Sequence, residues 1–315
     1  MTIRYIGDTH IGKKFKTGVP LNRLGERENL IYNKFEEQLK EDSDLTVHLG
    51  DLFDSPIVSY DDLYKTFKII EKEALEHPEK KLVFLAGNHD ISRDLERPCS
   101  FLILKEMLNN FENIFFVLHY YLCLNVDNVG KFMFIPYQQN DQLTEIIQDC
   151  TSNNVELSQL ILCGHFDEPY DPLVYGLFKE VHTGHIHLPR VQNNIIVHGS
   201  IIPMNFGEDP EGGLYKTLTL KEFEEVISDP TDSNMDWQNQ CFRIILKDGE
   251  TLPAGVNCRQ LISIKEGTDS GPILDEKVDF EPFDINNLFH EALDDLGLYE
   301  EIYKKYLEYK QDQNI

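Results

Sequence analysis

Short apolar runs recur through about the first 200 residues of the chain and predict β-strands. Polar or glycine-containing segments separate the runs, whose lengths fit strands better than helices. The predicted strands are Ile3–Ile6, Leu45–Leu49, Leu82–Ala86, Ile114–Leu118, Lys131–Ile135, Leu160–Cys163, Glu180–Thr183 and Ile195–His198.

Two longer segments between these runs carry apolar residues at the spacing of a helical face. The faces are formed by Leu24, Ile31, Phe35 and Leu39, and by Leu63, Phe67, Ile70 and Ala74. Strands that alternate with amphipathic helices indicate an α/β layered fold, in which helices cover a sheet.

The pattern changes after Gly213, and we predict four segments along the chain. They are a main domain (1–213), a small β-containing region (214–270), an acidic linker (271–284) and a helical hairpin (285–315). Strands of the small region are predicted at Leu214–Leu220, Phe242–Leu246 and Leu261–Ile264.

Each helix of the predicted hairpin has an apolar stripe that must be buried. The stripes are formed by Leu288, Ala292, Leu293 and Leu296, and by Ile302, Tyr303, Tyr306 and Leu307. Such a hairpin packs either on its own domain or on a partner protein, and the linker before it favours a partner.

Composition predicts a globular cytoplasmic protein. No apolar run has the length of a membrane span, and the N-terminal residues show no signal-peptide pattern. The six cysteines include no CxxC pair, which favours reduced thiols over a disulfide scaffold. The net charge of −26 repels a polyanion at long range, so it argues mildly against a free-standing DNA-binding protein. Bound divalent ions or a partner subunit would offset that repulsion.

Five polar clusters each follow a predicted strand: GDTH, GDLFD, GNHD, GH and GHIH. Because ligands bind at the carboxyl ends of strands in α/β sheets, five clusters in such positions indicate one shared site. The candidate metal ligands in them are Asp8, His10, Asp51, Asn88, His165, His185 and His187. Mixed His, Asp and Asn ligation suits Mn²⁺, Fe or Zn²⁺ better than Mg²⁺ or Ca²⁺.

We interpret these ligands as a site for two divalent ions, with Mn²⁺ the expected one. Asp51 could bridge the ions through its two carboxylate oxygens, and a bridging hydroxide would attack a phosphate ester in line. His89, beside Asn88, need not be a ligand and could protonate the departing oxygen. Asp54 lies three residues after Asp51 and is expected to orient the His89 imidazole.

As a set, these motifs resemble the calcineurin-like metallophosphoesterase superfamily. The resemblance implies a two-sheet sandwich flanked by helices, with Asp8, His10 and His187 on one ion and Asn88, His165 and His185 on the other. Asp51 would bridge the ions, and His89 would be the catalytic histidine. Within the superfamily the chain resembles SbcD-type DNA nucleases and their phage relatives, through GHIHLPR, HGSIIPMNFGED and the predicted hairpin. This implies a nuclease subunit of a DNA recombination and repair complex, exonuclease or endonuclease, with an SbcC-type coiled-coil ATPase as partner and a homodimer as a further possibility.

The basic residues closest to the ligand motifs are candidate DNA contacts. They are Lys13, Lys14, Lys16, Arg93, Arg97 and Arg190, and for each one ordinary solvated charge is an equal alternative. The role of residues 214–270 as a small DNA-capping region follows from the same resemblance.

Two other functions remain open at this point. A cyclic-nucleotide or small-molecule phosphodiesterase shares the GNHD and GHIH forms and needs neither hairpin nor DNA-sized cleft. A scaffold subunit whose metal only stabilises the fold is a second alternative. The presence of His89 and Asp54 argues against the scaffold, because a structural metal site needs no non-ligand acid.

Overall fold

The structure is a computed structural model that describes residues 2–92, 98–126, 130–138, 140–152, 156–228 and 236–267. The strands in these ranges are β1 (Ile3–Ile6), β2 (Leu45–His48), β3 (Lys81–Leu85), β4 (Ile114–Val117), β5 (Leu122–Val126), β6 (Gly130–Ile135), β7 (Leu160–His165), β8 (Glu180–Gly184), β9 (Arg190–Gln192), β10 (Ile195–Val197), β11 (Tyr215–Thr219), β12 (Cys241–Leu246) and β13 (Gln260–Lys265). The α-helices are α1 (Glu26–Leu39), α2 (Tyr60–Glu76), α3 (Ser100–Met107), α4 (Asn140–Ser152), α5 (Pro172–Tyr175) and α6 (Leu220–Ser228).

Two sheets carry the ligand motifs. The first has the order β1-β2-β3-β4, and its strands are all parallel. The second has the order β5-β6-β7-β8-β10-β9 and is parallel from β6 through β10, with an antiparallel strand at each edge. Antiparallel edge strands on a parallel sheet are common in mixed α/β folds.

Alternation along the strands shows that the two sheets pack face to face. Val83 belongs to a buried cluster that includes Phe132 of the second sheet. The neighbouring Leu82 instead joins a cluster with the helix residue Phe35, and Met133 joins one with the α4 residue Ile147. Since successive strand residues point to opposite faces, each sheet buries one face on the other sheet and one under helices. The two-sheet sandwich flanked by helices is thereby confirmed.

The two predicted helical faces lie on α1 and α2, with one exception. Ile31, Phe35 and Leu39 of α1 are buried against the first sheet, but Leu24 precedes the helix and is 48% exposed. Its inclusion in the α1 face was wrong, because Gly25 has φ 90° and begins a new backbone direction before the helix.

The third sheet, of order β11-β12-β13, is parallel and packs with α6 around its own small core. Phe223, Phe242, Ile244 and Cys258 form that core. The predicted linker at 271–284, the hairpin at 285–315 and the stripe residues Leu288, Leu293, Leu296, Ile302, Tyr303 and Tyr306 lie outside the described residues. In the described part of the chain, no helix combines the length and the apolar character needed to cross a membrane.

The sequence pattern missed the edge strands β5 and β9. The residues of β5 alternate between partly buried and exposed up to the buried Val126, and two of the three residues of β9 are exposed, so neither strand presents an apolar run. Edge strands of this kind are held by backbone pairing to a buried neighbour, a contact that periodicity cannot register.

Candidate metal centre

The ligand candidates meet at one edge of the sandwich because the parallel strands that carry them end there. Asp8 follows β1, Asp51 follows β2 and Asn88 follows β3, all in the first sheet. His165 is the last residue of β7, and His185 directly follows β8, both in the second sheet. The carboxyl ends of parallel strands in two facing sheets therefore place side chains from five loops around one point.

The first group of possible ligands consists of Asp8, His10 and His187, whose donor atoms lie within 4.8 Å of one another. His187 Nε2 is 3.0 Å from His10 Nε2 and 3.4 Å from Asp8 Oδ2. Asp8 is fully buried, and its Oδ2 has no hydrogen-bond partner among the described residues. A buried carboxylate oxygen of this kind is costly unless a cation binds it, so the group fits a metal ion.

The second group consists of Asp51, His165 and His185, and Asn88 adds its amide oxygen. Asn88 Oδ1 is 2.9 Å from His165 Nε2 and 3.0 Å from His185 Nδ1. One neutral oxygen, one carboxylate and two imidazoles are a donor set that suits Mn²⁺, Fe or Zn²⁺. The four residues are thus arranged to hold a second ion.

Asp51 lies between the two groups. Its Oδ2 is 3.7 Å from His10 Nε2 and 3.3 Å from His165 Nε2. Its other oxygen, Oδ1, accepts the backbone N–H of His89 at 2.9 Å. A single carboxylate within reach of both groups is the arrangement required of a ligand that bridges two ions.

Outer contacts determine which nitrogen of each histidine faces the site. His165 Nδ1 lies 2.9 Å from the carbonyl oxygen of Leu49, to which it donates, so Nε2 is left as the ligand atom. His187 Nδ1 donates in the same way to Glu208 Oε1 at 2.8 Å. Metal-binding histidines commonly use the second ring N–H in this manner, which fixes the tautomer and raises ligand basicity.

His185 is oriented in the opposite sense. Its Nε2 lies 2.7 Å from Asp167 Oδ1, which leaves Nδ1 to face Asn88 and His165. Asp167 Oδ2 also accepts the hydroxyl of Tyr137 at 3.1 Å. The sequence motifs named neither Asp167 nor Tyr137, and Glu208 was likewise missed. Asp167 does lie two residues after His165, the single signal that could have found it.

Three candidate ligands have left-handed backbone conformations. The φ angles are 48° at His10, 51° at Asp51 and 76° at His185. Non-glycine residues rarely adopt such angles, and each costs on the order of 1–3 kcal/mol. The backbone therefore leaves the extended conformation at His10 and His185, and His185 and His187 join different ligand groups.

Two motif glycines are required by the close approach of ligands. A Cβ on Gly87 would lie 2.1 Å from Asp51 Oδ1, and one on Gly184 would lie 2.4 Å from Asp8 Oδ1. Any larger residue at either position would displace a carboxylate. These glycines belong to GNHD and GHIH, so the motifs include both ligands and the space that ligands need.

The electrostatics of the cluster favour cations. Burial opposes ionisation of Asp8, but the histidines around it outweigh this and hold the pKa of Asp8 below its ordinary value. Burial likewise disfavours the charged form of His165, yet the facing Asp51 and Asp8 carboxylates raise its pKa to about 9. Burial also opposes protonation of His187, while Asp8 and Glu208 raise its pKa to about 10. Carboxylates that stabilise positively charged imidazoles this strongly would stabilise divalent ions for the same reason.

His89 is held differently from the expected histidine–carboxylate pair. Its Nδ1 lies 2.8 Å from the main-chain carbonyl oxygen of Asp54, to which it donates. The Asp54 carboxylate instead faces His10 Nδ1 at 3.3 Å and Lys13 Nζ at 3.5 Å. The prediction that the Asp54 side chain orients His89 is corrected on this point: the backbone orients His89, and the carboxylate supports a ligand of the first group.

Asp90, the last residue of GNHD, connects two ligand loops. Its buried carboxylate accepts the backbone N–H groups of Leu52 at 3.1 Å, Phe53 at 2.8 Å and Gly87 at 2.9 Å. Burial and then the Asp51 charge raise the pKa of Asp90 to about 8, and cations held at Asp51 would offset that repulsion. Asp90 thus fixes the loop of Asp51 relative to the loop of Asn88.

The candidate DNA contacts are largely paired with acidic residues. Lys14 Nζ lies 3.2 Å from Asp62 Oδ2, Lys13 contacts Asp54, and Arg190 is bonded to Glu168. Lys16 is exposed. Arg93 and Arg97 lie outside the described residues.

Among the described residues, His48, His182 and His198 belong to neither ligand group. His48 is buried under Thr9, with its Nε2 3.1 Å from the threonine hydroxyl. His182 stacks on Tyr5, with ring centroids 3.8 Å apart, and its Nδ1 is 2.9 Å from His198 Nε2.

A helix-flanked double sheet with two groups of possible metal ligands around a shared carboxylate is the arrangement expected of a metal-dependent hydrolase. The profile of the calcineurin-like phosphoesterases matches residues 1–203, and the chain belongs to this family. Residues 1–203 therefore form a domain of the phosphoesterase family that the resemblance predicted.

Two individual proteins are similar to parts of the chain. The DNA double-strand break repair protein Mre11 of Methanococcus maripaludis is 24% identical over 200 residues, which cover 59% of this chain and 52% of that protein. The chain thus spans about half the length of this relative. A solved structure of a protein of unknown function from Aquifex aeolicus is 16% identical, with a TM-score of 0.28, and covers 53% of this chain and 80% of its own.

Proposed function

We propose that the chain is a nuclease that hydrolyses phosphodiester bonds of DNA and serves in a recombination and repair complex of the SbcCD type. The similarity to Mre11 over 200 residues supports the substrate class, since that relative is a DNA double-strand break repair protein. The observation that carries the chemistry is the position of Asp51 Oδ2 between His10 Nε2 and His165 Nε2.

In the proposed reaction Asp8, His10 and His187 would hold one ion, and Asn88, His165 and His185 would hold the other. The ions, for which Mn²⁺ is the first choice, would activate a water nucleophile and offset charge that develops on the phosphate. The Leu49, Glu208 and Asp167 acceptors keep the histidines in the required tautomers. Asp51 is shared by the two groups.

His89 is proposed as the group that protonates the departing sugar oxygen. Its Nδ1 is engaged by the Asp54 carbonyl, and Nε2 makes no hydrogen bond with the described residues. A histidine fixed through one nitrogen and free at the other is suited to general acid catalysis. The main-chain acceptor favours the Nδ1–H tautomer, so Nε2 is the atom that would carry the transferred proton.

Because of its net charge and its paired basic residues, the chain would need a partner to bind DNA. A chain of net charge −26 repels DNA, and Lys14 and Arg190 are each engaged by a carboxylate. We propose that Lys16, which is exposed, contacts phosphate near the site and that a partner subunit supplies most of the affinity. The partner would be a coiled-coil ATPase bound through residues 285–315. A homodimer is a further proposal, and residues 214–270 would cap the DNA.

The same negative charge favours one alternative, a small-molecule or cyclic phosphodiesterase. The deciding experiment measures cleavage of end-labelled linear double-stranded DNA and of bis-p-nitrophenyl phosphate with Mn²⁺. The variants are His89→Ala and, as a matched control, His77→Ala, whose side chain is 49% exposed. We expect wild type and His77→Ala to cleave both substrates and His89→Ala to lose both activities. Cleavage of the small ester alone, even with the ATPase partner present, would contradict the DNA assignment.

Truncation after Phe283 tests the partner assignment. Residues 1–283 retain every proposed ligand, so hydrolysis of the small ester should be unchanged. Co-purification with a co-expressed coiled-coil ATPase should be lost. Full partner binding by the truncated chain would remove the 285–315 segment from this role.

A further inference from the structure

Two arginines near the start of α1 connect the small region of β11, β12 and β13 to the main domain. Arg23 Nη1 donates to the carbonyl oxygen of Asn257 at 3.1 Å, and its Nη2 donates to Asn239 Oδ1 at 2.9 Å. Arg27 Nη1 donates to Gln260 Oε1 at 3.0 Å. Both arginines therefore contact the small region, but they differ in what else they reach.

Arg27 also contacts the segment that follows the last ligand motif. Its Nη2 donates to the carbonyl oxygen of Met204 at 2.9 Å. The hydroxyl of Tyr215, the first residue of β11, donates to the same oxygen at 2.7 Å. The Met204 carbonyl is thus held by one donor from α1 and one from the small sheet, both on buried residues.

The amide side of Met204 leads to a metal ligand. The backbone N–H of Met204 donates to Glu208 Oε2 at 2.7 Å, and Asn205 Nδ2 donates to Oε1 at 2.5 Å. Glu208 Oε1 is also the acceptor for His187 Nδ1 at 2.8 Å. The carboxylate that orients His187 is therefore oriented by the backbone N–H of Met204, and Arg27 and Tyr215 fix the carbonyl group of the same residue.

The surroundings of Arg27 explain why an arginine occupies the position. The side chain is 3% exposed, and its Cζ lies 3.4 Å from the Phe15 ring centroid and 5.0 Å from that of Tyr215. A planar guanidinium stacks on a ring while donating in two directions from its edge, which a lysine cannot do. Stacking and both hydrogen bonds together leave Arg27 little freedom to turn away from Met204.

We propose that Arg27 and Tyr215 are positioning residues for the ligand His187, so that the small region stabilises the first ion group as well as covering any substrate. The inference rests on the metal-binding part of the proposed function. Residues 215–267 thereby act on the metal centre. Tyr215 and Arg27 hold Met204, Met204 holds Glu208, and Glu208 orients His187.

The test compares Mn²⁺ binding by titration calorimetry for the full chain and three variants. Arg27→Met removes both donors and the stacking, and Tyr215→Phe removes only the hydroxyl. Arg23→Met is the matched control, because it loosens the small region without contacting Met204. Melting temperatures in EDTA report the purely structural cost of each change.

We expect Arg27→Met to weaken the binding of one of the two Mn²⁺ ions about tenfold, as the loss of an outer contact to a metal ligand does. Tyr215→Phe should weaken the binding of the same ion about threefold. Arg23→Met should melt lower in EDTA yet bind both ions as wild type does. Glu208→Gln should weaken the binding of the same ion at least as much as Arg27→Met does.

Two results would overturn this inference and leave the proposed function intact. One is wild-type Mn²⁺ affinity in both Arg27→Met and Tyr215→Phe. The other is a loss of Mn²⁺ affinity in Arg23→Met as large as that in Arg27→Met. Should Arg27→Met fail to fold, Tyr215→Phe decides, since it keeps the ring and its packing. Failure of the wild type itself to bind two ions would instead overturn the proposed function.

Discussion

The substitution Asp54→Asn separates the role of the Asp54 carbonyl oxygen from that of the Asp54 carboxylate. The Asp54 carbonyl, which the substitution leaves in place, holds His89 Nδ1 at 2.8 Å. The carboxylate, which the substitution neutralises, lies 3.3 Å from His10 Nδ1. Burial opposes its charge, but His10 and then Lys13 outweigh burial and hold the pKa of Asp54 below its ordinary value. The carboxylate is therefore ionised at neutral pH, and its charge acts on His10.

The magnitude follows from that geometry. Loss of a carboxylate behind a metal-binding histidine typically weakens metal binding by about 10- to 100-fold, or roughly 1.4–2.7 kcal/mol. We expect Asp54→Asn to need that much more Mn²⁺ for half-maximal activity. At saturating Mn²⁺ its kcat should stay within about threefold of wild type, because the effect on ion binding is then overcome. His89→Ala should behave in the opposite way, with wild-type Mn²⁺ affinity and a kcat reduced by about 10²- to 10⁴-fold.

The assay is hydrolysis of bis-p-nitrophenyl phosphate across a Mn²⁺ titration. Asp61→Asn is a suitable control, since Asp61 is 70% exposed on α2 and pairs with Lys65. A kcat for Asp54→Asn as low as that of His89→Ala at saturating Mn²⁺ would refute the reasoning, because it would mean that the carboxylate acts on His89.

Three further predictions concern the ligand groups. The pKa values of His165 and His187 are raised from 6.5 to about 9 and about 10, so these imidazoles contribute stability that is complete below pH 6.5 and is lost progressively as pH rises from there through 9–10. In EDTA the melting temperature should therefore fall over that range. The Mn²⁺ affinity should instead rise with pH, because protons compete with the ion for the same nitrogens. A Mn²⁺ affinity that does not change with pH would contradict this. Asp51→Asn should lower the Mn²⁺ content, measured by plasma mass spectrometry, at both ion groups, and loss of a single ion would exclude a bridge. Gly87→Ala should displace Asp51 and abolish activity, since its Cβ would lie 2.1 Å from Oδ1, whereas Gly213→Ala, at 3.7 Å from its nearest neighbour, should be fully active.

Local patterns predicted those parts of the molecule that depend on adjacent residues. The strands β2, β3 and β7 are apolar runs buried between layers, so their sequence signal is strong. Asp8, Asp51 and Asn88 each lie within three residues of a strand end. Their meeting therefore follows from parallel strands in one sheet, without knowledge of any distant contact. The edge strands β5 and β9 escaped the same reasoning because backbone pairing, and not an apolar run, holds them.

The sequence by itself predicted an α/β layered fold and a set of candidate ligand side chains, and its resemblance to a known family added the two-sheet sandwich. Only the tertiary structure decided which groups stand behind those ligands: Glu208 behind His187, the Asp54 carboxylate behind His10 and the Asp54 carbonyl behind His89. The physical reason is the separation along the chain between the residues that make each contact. A ligand next to a strand end is placed by local backbone geometry, whereas an orienting acceptor needs only a free oxygen within about 3 Å. Any segment can supply that oxygen, so its identity is settled by how distant parts of the chain pack together.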